Sequence, residues 1–240
     1  YFLNGRRMFI TSGALDDKTL GDIYLVYAKT DKGISSFVVE KGFPGFSLGQ
    51  RLHGKAGMRA SMTAELVFED CAVPVVNRLG EEGESTIHMM RNLEIERVTI
   101  GAMSTGIAAR CVEVMTRYAS ERTAYGQPIH NFGQIQRYIG DSYAQDVAAR
   151  TYLYHTAGRM SLDKPGQRVD SDGVKLVATT MAKQVADNAM QVLGGYGYFS
   201  EYVVERLWRD AKLLEIGGGT IEAHQKNITK DITRRMDLIR

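Results

Sequence analysis

The chain contains 240 residues, of which 24% are charged, and its formal net charge is +2 at pH 7. A charge this small, with lysine and arginine spread along the chain, gives no electrostatic reason to expect binding to nucleic acid or to a membrane surface. No apolar run approaches the roughly 20 residues that cross a bilayer, so no membrane span is predicted.

The first part of the chain has the composition and spacing of β-strands. Runs rich in Val, Ile, Tyr, Phe and Thr, separated by turn residues, predict strands at 1–11, 23–30, 34–40 and 63–68. Asp31-Lys32-Gly33 is typical of a hairpin turn between two of them. The chain opens with a strand-like run instead of the charged and apolar regions of a signal peptide, so no signal peptide is predicted. A chain that begins within a strand is expected to be a piece of a longer protein.

From about residue 84 the spacing of apolar residues becomes helical. It predicts helices near 84–119, 133–162, 172–193, 200–214 and 221–236. The polar segment 163–170 is predicted to link two of these helices, and Ser171 or Asp172 is expected to cap the second. Long amphipathic helices with short connections favour an antiparallel bundle. The predicted architecture is a β domain followed by a helical bundle.

One charged residue, Glu96, interrupts the apolar face of the first long predicted helix. Side chains three and four positions apart share a face of a helix, and an apolar face is normally buried. A carboxylate on such a face is partly desolvated and is a better base once ionised. For an isolated glutamate, an ion pair with Arg97 or another cation is the more common explanation. The row comprises Met89, Leu93, Glu96, Ile100, Met103, Ile107, Cys111, Val114 and Tyr118.

Two glycine clusters follow predicted helices. Gly194-Gly195-Tyr196-Gly197 resembles half of a dinucleotide-binding motif, but that motif must follow a strand, and the residues before this cluster are helical. The cluster therefore either ends the helix or leaves bare backbone N–H groups for a flat or anionic ligand.

The second cluster, Gly217-Gly218-Gly219-Thr220, lies between two predicted helices. Without side chains it forms either a slot for a ligand or a flexible hinge. Thr220 is expected to cap the following helix, whose N-terminus suits a phosphate or a polarised carbonyl.

The histidines and cysteines give no metal-binding pattern. The five histidines show neither of the spacings typical of zinc sites, and Cys71 and Cys111 are far apart in sequence. No metal site is predicted, and a reducing compartment is favoured. His155 is expected to lie in or beside the core.

Taken together, several motifs resemble the acyl-CoA dehydrogenase family over essentially the whole chain. The most specific follows the first glycine cluster: Gln191-x-x-Gly194-Gly195-x-Gly197-Tyr198-x-x-Glu201, with Arg206 and Asp210, resembles the C-terminal signature of the family. Three further segments resemble family motifs in the same order along the chain. They are Met8-Phe9-Ile10-Thr11, the run from Lys55 to Pro74, and Arg122-x-x-Tyr125-Gly126-x-x-Ile129.

The resemblance implies an α+β fold. Residues 1–78 would form part of a middle β domain, barrel-like or sandwich-like, and residues 79–240 an antiparallel, all-α four-helix-bundle domain. Members of the family begin with a helical domain and an early β segment that this sequence does not contain, so the functional interpretation is expected to describe a longer protein.

The resemblance also implies a chemistry, the FAD-dependent α,β-dehydrogenation of an acyl-CoA thioester to a trans-2-enoyl-CoA. Many members carry the catalytic base, a glutamate, in the loop directly ahead of Gly-Thr, where this chain has Gly218. A smaller group, the isovaleryl-CoA and long-chain types, carries it on the first long helix just before an arginine. Leu93-Glu94-Ile95-Glu96-Arg97 matches that pattern, so the resemblance implies that Glu96 is the base.

Other roles are implied by position. Glu94, Arg97, Gly218 and Gly219 fall where the family binds substrate. The residues that fall where it binds FAD are Phe9, Ile10, Thr11, Arg122, Gln191, Val192, Leu193, Gly194, Gly195, Thr220, Ile221 and Glu222.

The resemblance finally implies partners: an acyl-CoA substrate, an electron-transferring flavoprotein and a homotetramer built as a dimer of dimers. A role in fatty acid or branched-chain amino acid catabolism would place the protein in the cytoplasm if bacterial and in the mitochondrial matrix if eukaryotic. A short or branched acyl group is expected. Two alternatives stay open, a medium- or long-chain substrate and an FAD-binding relative that does not dehydrogenate.

Overall fold

A computed structural model describes residues 1–161 and 166–238. The chain divides into two compact units, Tyr1–Met90 and Arg91–Arg240. The first unit contains the β-sheets and the second contains the helical bundle, so the α+β fold is as predicted. The division at residues 78 and 79 stays a prediction.

The first unit contains six strands in two three-stranded sheets. One sheet has the order β1-β5-β4 and the other the order β2-β3-β6. In the second sheet Thr30 pairs with Gly33 across the two-residue turn Asp31-Lys32, which confirms the predicted hairpin. The strands are β1 Phe2–Thr11, β2 Ile23–Thr30, β3 Gly33–Glu40, β4 Phe46–Arg51, β5 Thr63–Ala72 and β6 Arg78–Leu79.

The core of this unit is formed by apolar side chains from both sheets, as in a sandwich. The rings of Phe46 and Phe68 stack with their centroids 4.9 Å apart, and Tyr1 meets Phe37 edge-on at the same distance. The buried cluster comprises Leu3, Phe37, Val39, Phe46, Leu66, Phe68, Cys71 and Val73. Strand β4 was not predicted because Gly49 and the polar residues around it interrupt the alternation on which a strand prediction depends.

The pairing of β1 with β5 contains two irregularities. Between Leu3 and Gly5 the register shifts by one residue on β5, and between Arg7 and Ile10 it shifts by one residue on β1. Each extra residue is a β-bulge, and Phe9 in the second bulge has a φ of 63°. The bulge leaves the Phe9 side chain 76% exposed.

The second unit contains most of α1 and all later helices. The predicted helices are confirmed within a few residues at their ends, except that the third begins four residues earlier than predicted, at Arg168, and the fourth begins four residues later, at Val204. The helices are α1 Thr86–Glu121, α2 Gly133–Arg159, α3 Arg168–Leu193, α4 Gly195–Tyr198, α5 Val204–Ile216 and α6 Ile221–Arg234.

Helix α3 is central to this unit and packs against α2, α5 and α6. Val98 of α1, Leu153 of α2 and Val174 of α3 form a buried cluster. Gly101 allows α1 to approach α3 closely, because a Cβ atom there would lie 2.7 Å from Cγ1 of Val174.

The predicted buried face of α1 is wrong in its orientation. In the predicted row only Ile107 and Cys111 are buried, whereas Glu96 is exposed. The face that packs into the unit carries small and polar residues instead, which apolar periodicity does not detect. Its members are Glu94, Arg97, Val98, Gly101, Ser104, Thr105, Ile107, Ala108, Cys111, Met115 and Ala119.

Two further expectations in this unit are wrong. Ser171 and Asp172 do not cap α3 but lie inside it, fully buried. His155 is exposed, and the buried histidine is His224. The predicted linker 163–170 lies partly outside the described residues, which resume at 166.

Helix α1 is long and apolar enough, by length and composition, to count as a candidate membrane span, and 39% of its most apolar window is buried within the protein. The same test is passed by core helices of soluble proteins. Packing of Val98 and Gly101 against α2 and α3 is what a core helix requires.

Candidate active site

The side chain of Glu96 lies directly beside the glycine loop 217–219. A Cβ atom at Gly218 would lie 3.1 Å from Oε1 of Glu96 and 2.4 Å from Cδ1 of Ile100. Glu96 therefore occupies the space into which a side chain at position 218 would project. The predicted base and the predicted substrate loop are brought together.

The loop has a conformation that only glycine adopts readily. Gly218 and Gly219 have φ angles of 65° and 104°, in the left-handed region. The N–H of Gly217 donates to the carbonyl of Leu213 at 2.7 Å, which ends α5. Beyond the loop, the Thr220 hydroxyl accepts from the N–H of Ala223 at 3.4 Å and caps α6, as expected.

The first turn of α6 carries Glu222, predicted as a cofactor residue. Hydrogen bonds from its own N–H and from the Thr220 hydroxyl lower the pKa of the Glu222 carboxyl. Ile221 is half-buried beside it. An acidic group in the first turn also matches the dipole of the helix.

Glu94 and Arg97, predicted to bind substrate, are both buried. The Glu94 carboxylate accepts from the N–H groups of Gly166 and Gln167, each at 3.3 Å, just ahead of α3. The Arg97 guanidinium lies 3.2 Å from Oδ1 of Asp172. These contacts tie the Glu96 segment of α1 to the start of α3.

Two buried side chains that were not predicted from the sequence, Lys175 on α3 and His224 on α6, contact the glycine loop 217–219. Lys175 Nζ donates to the Gly219 carbonyl at 2.5 Å, and His224 Nε2 lies 3.1 Å from the same oxygen. Nδ1 of His224 lies 2.5 Å from Oδ1 of Asp172. Burial, followed by the nearby Arg97 guanidinium, lowers the pKa of Lys175 to about 8. No sequence signal marks these residues, because isolated Lys, His and Asp side chains are usually at the surface.

The first glycine cluster, in the same unit, forms the turn that ends α3. Gly194 has φ 58° and ψ −131°, and its N–H donates to the Gln191 carbonyl at 3.2 Å. A Cβ atom at Gly194 or Gly195 would meet nothing within 4 Å. Val192 and Leu193 are buried, and Gln191 is exposed. Here the glycines border open space.

Arg122 lies at the edge of the same open space. It follows α1 and precedes a small hairpin of β7 Thr123–Ala124 and β8 Gln127–Pro128. A groove of about 550 Å³ brings Arg122 together with the glycine turn. Its lining residues are Tyr118, Arg122, Leu193, Gly195, Tyr196, Phe199 and Glu201.

The groove has the features that a dinucleotide cofactor such as FAD requires. Arg122 supplies a cation for phosphate, Tyr118 and Tyr196 supply aromatic surface, and Gly195 leaves the backbone open. The remaining predicted cofactor residues lie in the first unit, where Phe9 and Thr11 are exposed and Ile10 is half-buried. Within residues 1–161 and 166–238 no group of three or more His, Cys, Asp or Glu side chains is placed to hold a metal ion.

Comparison with known proteins gives a consistent picture for both units. Residues 86–233 match the family "Acyl-CoA dehydrogenase, C-terminal domain", and residues 1–71 match "Acyl-CoA dehydrogenase, middle domain". Isovaleryl-CoA dehydrogenase, mitochondrial, of Oryza sativa subsp. japonica is 44% identical over 237 residues, covering 97% of this chain and 56% of that protein.

Solved structures agree. Butyryl-CoA dehydrogenase from Megasphaera elsdenii superposes with a TM-score of 0.89 at 37% identity, covering 97% of this chain and 60% of that chain. PigA, solved with FAD and proline, gives a TM-score of 0.91 at 26% identity, covering 98% of this chain and 61% of that chain. The chain therefore spans somewhat more than half the length of the relatives that it matches. On these matches the chain belongs to the acyl-CoA dehydrogenase family.

Proposed function

We propose that the protein is an FAD-dependent acyl-CoA dehydrogenase that converts a short-chain or branched acyl-CoA thioester to a trans-2-enoyl-CoA. The reaction removes the α-hydrogen of the acyl group as a proton and the β-hydrogen as a hydride, leaving a double bond. The α-C–H bond is only weakly acidic, so the reaction needs a positioned base and hydrogen bonds to the thioester oxygen.

The observation that carries this proposal is the meeting of Glu96 with Gly218. Family resemblance gives two alternative positions for the base, one on the first long helix and one in the loop. In this chain the loop position is glycine, and a Cβ atom there would lie 3.1 Å from the Glu96 carboxylate. A carboxylate carried by the helix therefore lies where a side chain at position 218 would project, which supports Glu96 as the base.

The roles of the neighbouring residues follow from their contacts. Glu96 accepts the α-proton, and the N–H groups of Gly218 and Gly219 bind the thioester oxygen, where they stabilise charge that develops as the proton leaves. Glu94 and Arg97 shape the substrate site by fixing the helix segment that carries Glu96, because both are buried in contacts with the start of α3.

FAD is the cofactor that the proposal requires. When bound, it accepts the hydride from the β-carbon. Arg122 and the glycine turn would hold it along the open groove. The groove, which combines an arginine, aromatic rings and bare backbone, supports this assignment. The residues involved would be Phe9, Ile10, Thr11, Arg122, Gln191, Val192, Leu193, Gly194, Gly195, Thr220, Ile221 and Glu222.

The decisive experiment is anaerobic reduction of the flavin by isovaleryl-CoA in the intact protein. Glu96→Gln removes the base with little change in shape, so we expect the rate of flavin bleaching to fall by at least about a hundredfold. Glu113→Gln on the same helix is the matched control. Glu113 is exposed and pairs with Arg110 and Arg117, so the flavin of the Glu113→Gln variant should bleach at the wild-type rate. Equal rates in Glu96→Gln and the wild type would exclude Glu96 as the base.

The acyl group is tested by a panel of saturated acyl-CoA substrates of increasing length and branching. Highest kcat/KM for short or branched groups supports the proposal. A maximum at medium or long chains would keep the chemistry and change the substrate class. If the protein binds FAD and no acyl-CoA bleaches it, the protein is a relative that does not dehydrogenate.

The electron acceptor and assembly are proposed on the same basis: an electron-transferring flavoprotein and a homotetramer, a dimer of dimers. Three large side chains on one face of α2, Tyr143, Val147 and Tyr154, are 62%, 42% and 71% exposed, and such an apolar face suits a contact between subunits. Native mass spectrometry of the intact protein tests the assembly, because a monomer would contradict it. We propose the mitochondrial matrix as its location if the source is eukaryotic and the cytoplasm if it is bacterial.

A further inference from the structure

The glycine loop 217–219 rests on a buried set of charged side chains that the proposed reaction does not use directly. Asp172 and Lys175 on α3 are fully buried, and His224 on α6 is 1% exposed. Arg97 on α1 is 8% exposed and lies beside Asp172. Burying four ionisable groups is costly unless they are paired, so their contacts indicate what they do.

Two of the four, Lys175 and His224, meet at the carbonyl oxygen of Gly219. Lys175 Nζ donates to it at 2.5 Å, and His224 Nε2 lies 3.1 Å away. A carbonyl oxygen has two lone pairs, so it can accept from both. The ring of His224 also packs against the residue itself, since a Cβ atom at Gly219 would lie 3.0 Å from Nε2.

Each ring nitrogen of His224 faces an oxygen atom that can accept a hydrogen bond. Nδ1 faces Oδ1 of Asp172 at 2.5 Å, while Nε2 faces the Gly219 carbonyl at 3.1 Å. The contact with Asp172 orients the ring so that Nε2 points at the loop, and Nε2 donates to the Gly219 carbonyl when it carries the ring proton.

The loop needs such an anchor because of its composition. Three consecutive glycines lose more conformational freedom on ordering than any other residues, and they bring no side chains with which to hold themselves. Its ends are fixed by the Gly217 N–H on Leu213 and by the Thr220 cap. Between those ends, the Gly219 carbonyl is where side chains of α3 and α6 hold the backbone.

We propose that Lys175 and His224, with Asp172 behind His224, are positioning residues that hold the Gly219 carbonyl and thereby fix Gly218 beside Glu96. The inference rests on the proposed function, in which the thioester oxygen binds to the loop while Glu96 takes the α-proton. A loop free to move by about 1 Å would separate the bound thioester from its base, and displacements of that size cost about a hundredfold in rate. The effect falls on kcat more than on KM.

The test compares two amides at position 224 in the intact protein. The Asn amide lies two bonds beyond Cβ, as Nδ1 does, so His224→Asn keeps the contact with Asp172 and loses the one with Gly219. The Gln amide lies three bonds beyond Cβ, as Nε2 does, so His224→Gln keeps the contact with Gly219. We expect kcat to fall about ten- to a hundredfold in the Asn variant, with KM changed less than about threefold, and to be largely retained in the Gln variant.

Hydrogen exchange of the peptide covering residues 213–224 gives a second readout that needs neither substrate nor turnover. The loop should exchange faster in His224→Asn and in Lys175→Met, which keeps the length of the side chain and removes the donor, and at the wild-type rate in His224→Gln. If the Asn and Gln variants lose activity, melting temperature and protection equally, the ring is only a packing element and the proposal is overturned.

The two proposals fail in distinguishable ways. If Glu96→Gln bleaches flavin as fast as the wild type while His224→Asn exposes the loop to exchange, the assignment of the base fails and the anchoring of the loop stands. If Glu96→Gln abolishes bleaching while the loop of His224→Asn stays protected and kcat is unchanged, the anchoring fails alone.

Discussion

The two glycine turns of the helical unit follow helices in the same way, yet their surroundings differ in kind. At Gly194 and Gly195 an added Cβ atom would meet nothing within 4 Å, and the turn borders a groove of about 550 Å³. At Gly218 and Gly219 an added Cβ atom would meet Ile100, Glu96 and His224 at 2.4 to 3.1 Å. The first turn is bordered by empty space, whereas the second is packed against side chains.

This difference shows that a glycine cluster alone does not define a kind of site. In the first turn the missing side chains leave room, which suits a large ligand that lies along the backbone. In the second they permit close approach from α1 and α6, which brings a carboxylate and a loop together. Substitutions at matched glycines separate the two uses.

The largest effect is expected for Gly218→Ala. The new Cβ atom would lie 2.4 Å from Cδ1 of Ile100, and the alanine backbone would have to adopt a φ of 65°. Overpacking and backbone strain together should lower the free energy of unfolding by about 2–4 kcal/mol. Ile100→Val removes Cδ1. The Gly218→Ala/Ile100→Val double variant should therefore recover the loss of stability that comes from the clash, but not the loss that comes from the strained φ angle.

Gly217→Ala is the control within the same loop. Gly217 has a φ of −67°, and its nearest contact would be an ordinary 3.4 Å to the Leu213 carbonyl, so stability should change by less than about 0.5 kcal/mol. Urea unfolding of the wild type, Gly218→Ala, the Gly218→Ala/Ile100→Val double variant and Gly217→Ala measures these differences. An equal loss at 217 and 218 would show that crowding around Gly218 is not the cause.

An intermediate effect is expected in the open turn, and only at one of its two glycines. Gly194 combines a φ of 58° with a ψ of −131°, a region that other residues avoid, so Gly194→Ala should cost about 1–3 kcal/mol of stability. Gly195 begins α4 beside open space, so Gly195→Ala should cost less than about 0.5 kcal/mol. A methyl group at 195 projects at the groove, and its expected consequence is weaker FAD binding, measured by flavin release. Equal unfolding free energies for the two variants would contradict the role of backbone conformation.

A further effect concerns pH and belongs to the packed loop alone. Lys175 has a folded pKa of about 8 against an ordinary value of 10.5. Between these values the unfolded chain holds a proton that the folded protein has released, so the stability of the wild type rises with pH. The slope from this group approaches about 1.4 kcal/mol per pH unit. Lys175→Met should lack this slope when urea unfolding is compared at pH 7, 8, 9 and 10, and parallel curves would contradict the prediction.

The order and type of the elements were predictable because periodicity and turn residues determine them locally. The hairpin at Asp31-Lys32, the cap at Thr220 and three of the five helix starts depend on a few neighbouring residues, and the structure confirms them. The third helix start was wrong because Asp172 looked like a cap. Its carboxylate instead meets Arg97 and His224, which are distant in sequence.

The candidate site was predictable in part for a related reason. Glu96 and Gly218 could be paired through the family resemblance, and the structure does bring them together. The orientation of α1 could not be predicted, because its packed face carries Glu94, Arg97 and Gly101 in place of large apolar residues. Lys175 and His224 were missed because a buried ionisable side chain cannot be told from a solvated one in sequence until its partners are known.

The two bulges between β1 and β5 have a consequence for insertions and deletions. One extra residue lies on β5, opposite Leu3 to Gly5, and one lies on β1, between Arg7 and Ile10, so the second offset cancels the first. Loss of the extra residue at either bulge would leave the pairs on both sides of it aligned, whereas loss of a residue elsewhere in either strand would shift the register of one end and turn its side chains to the opposite face. Loss of the extra residue on β1 alone would remove the bulge that exposes Phe9. Single deletions in these two strands are therefore tolerated at the bulges and not between them.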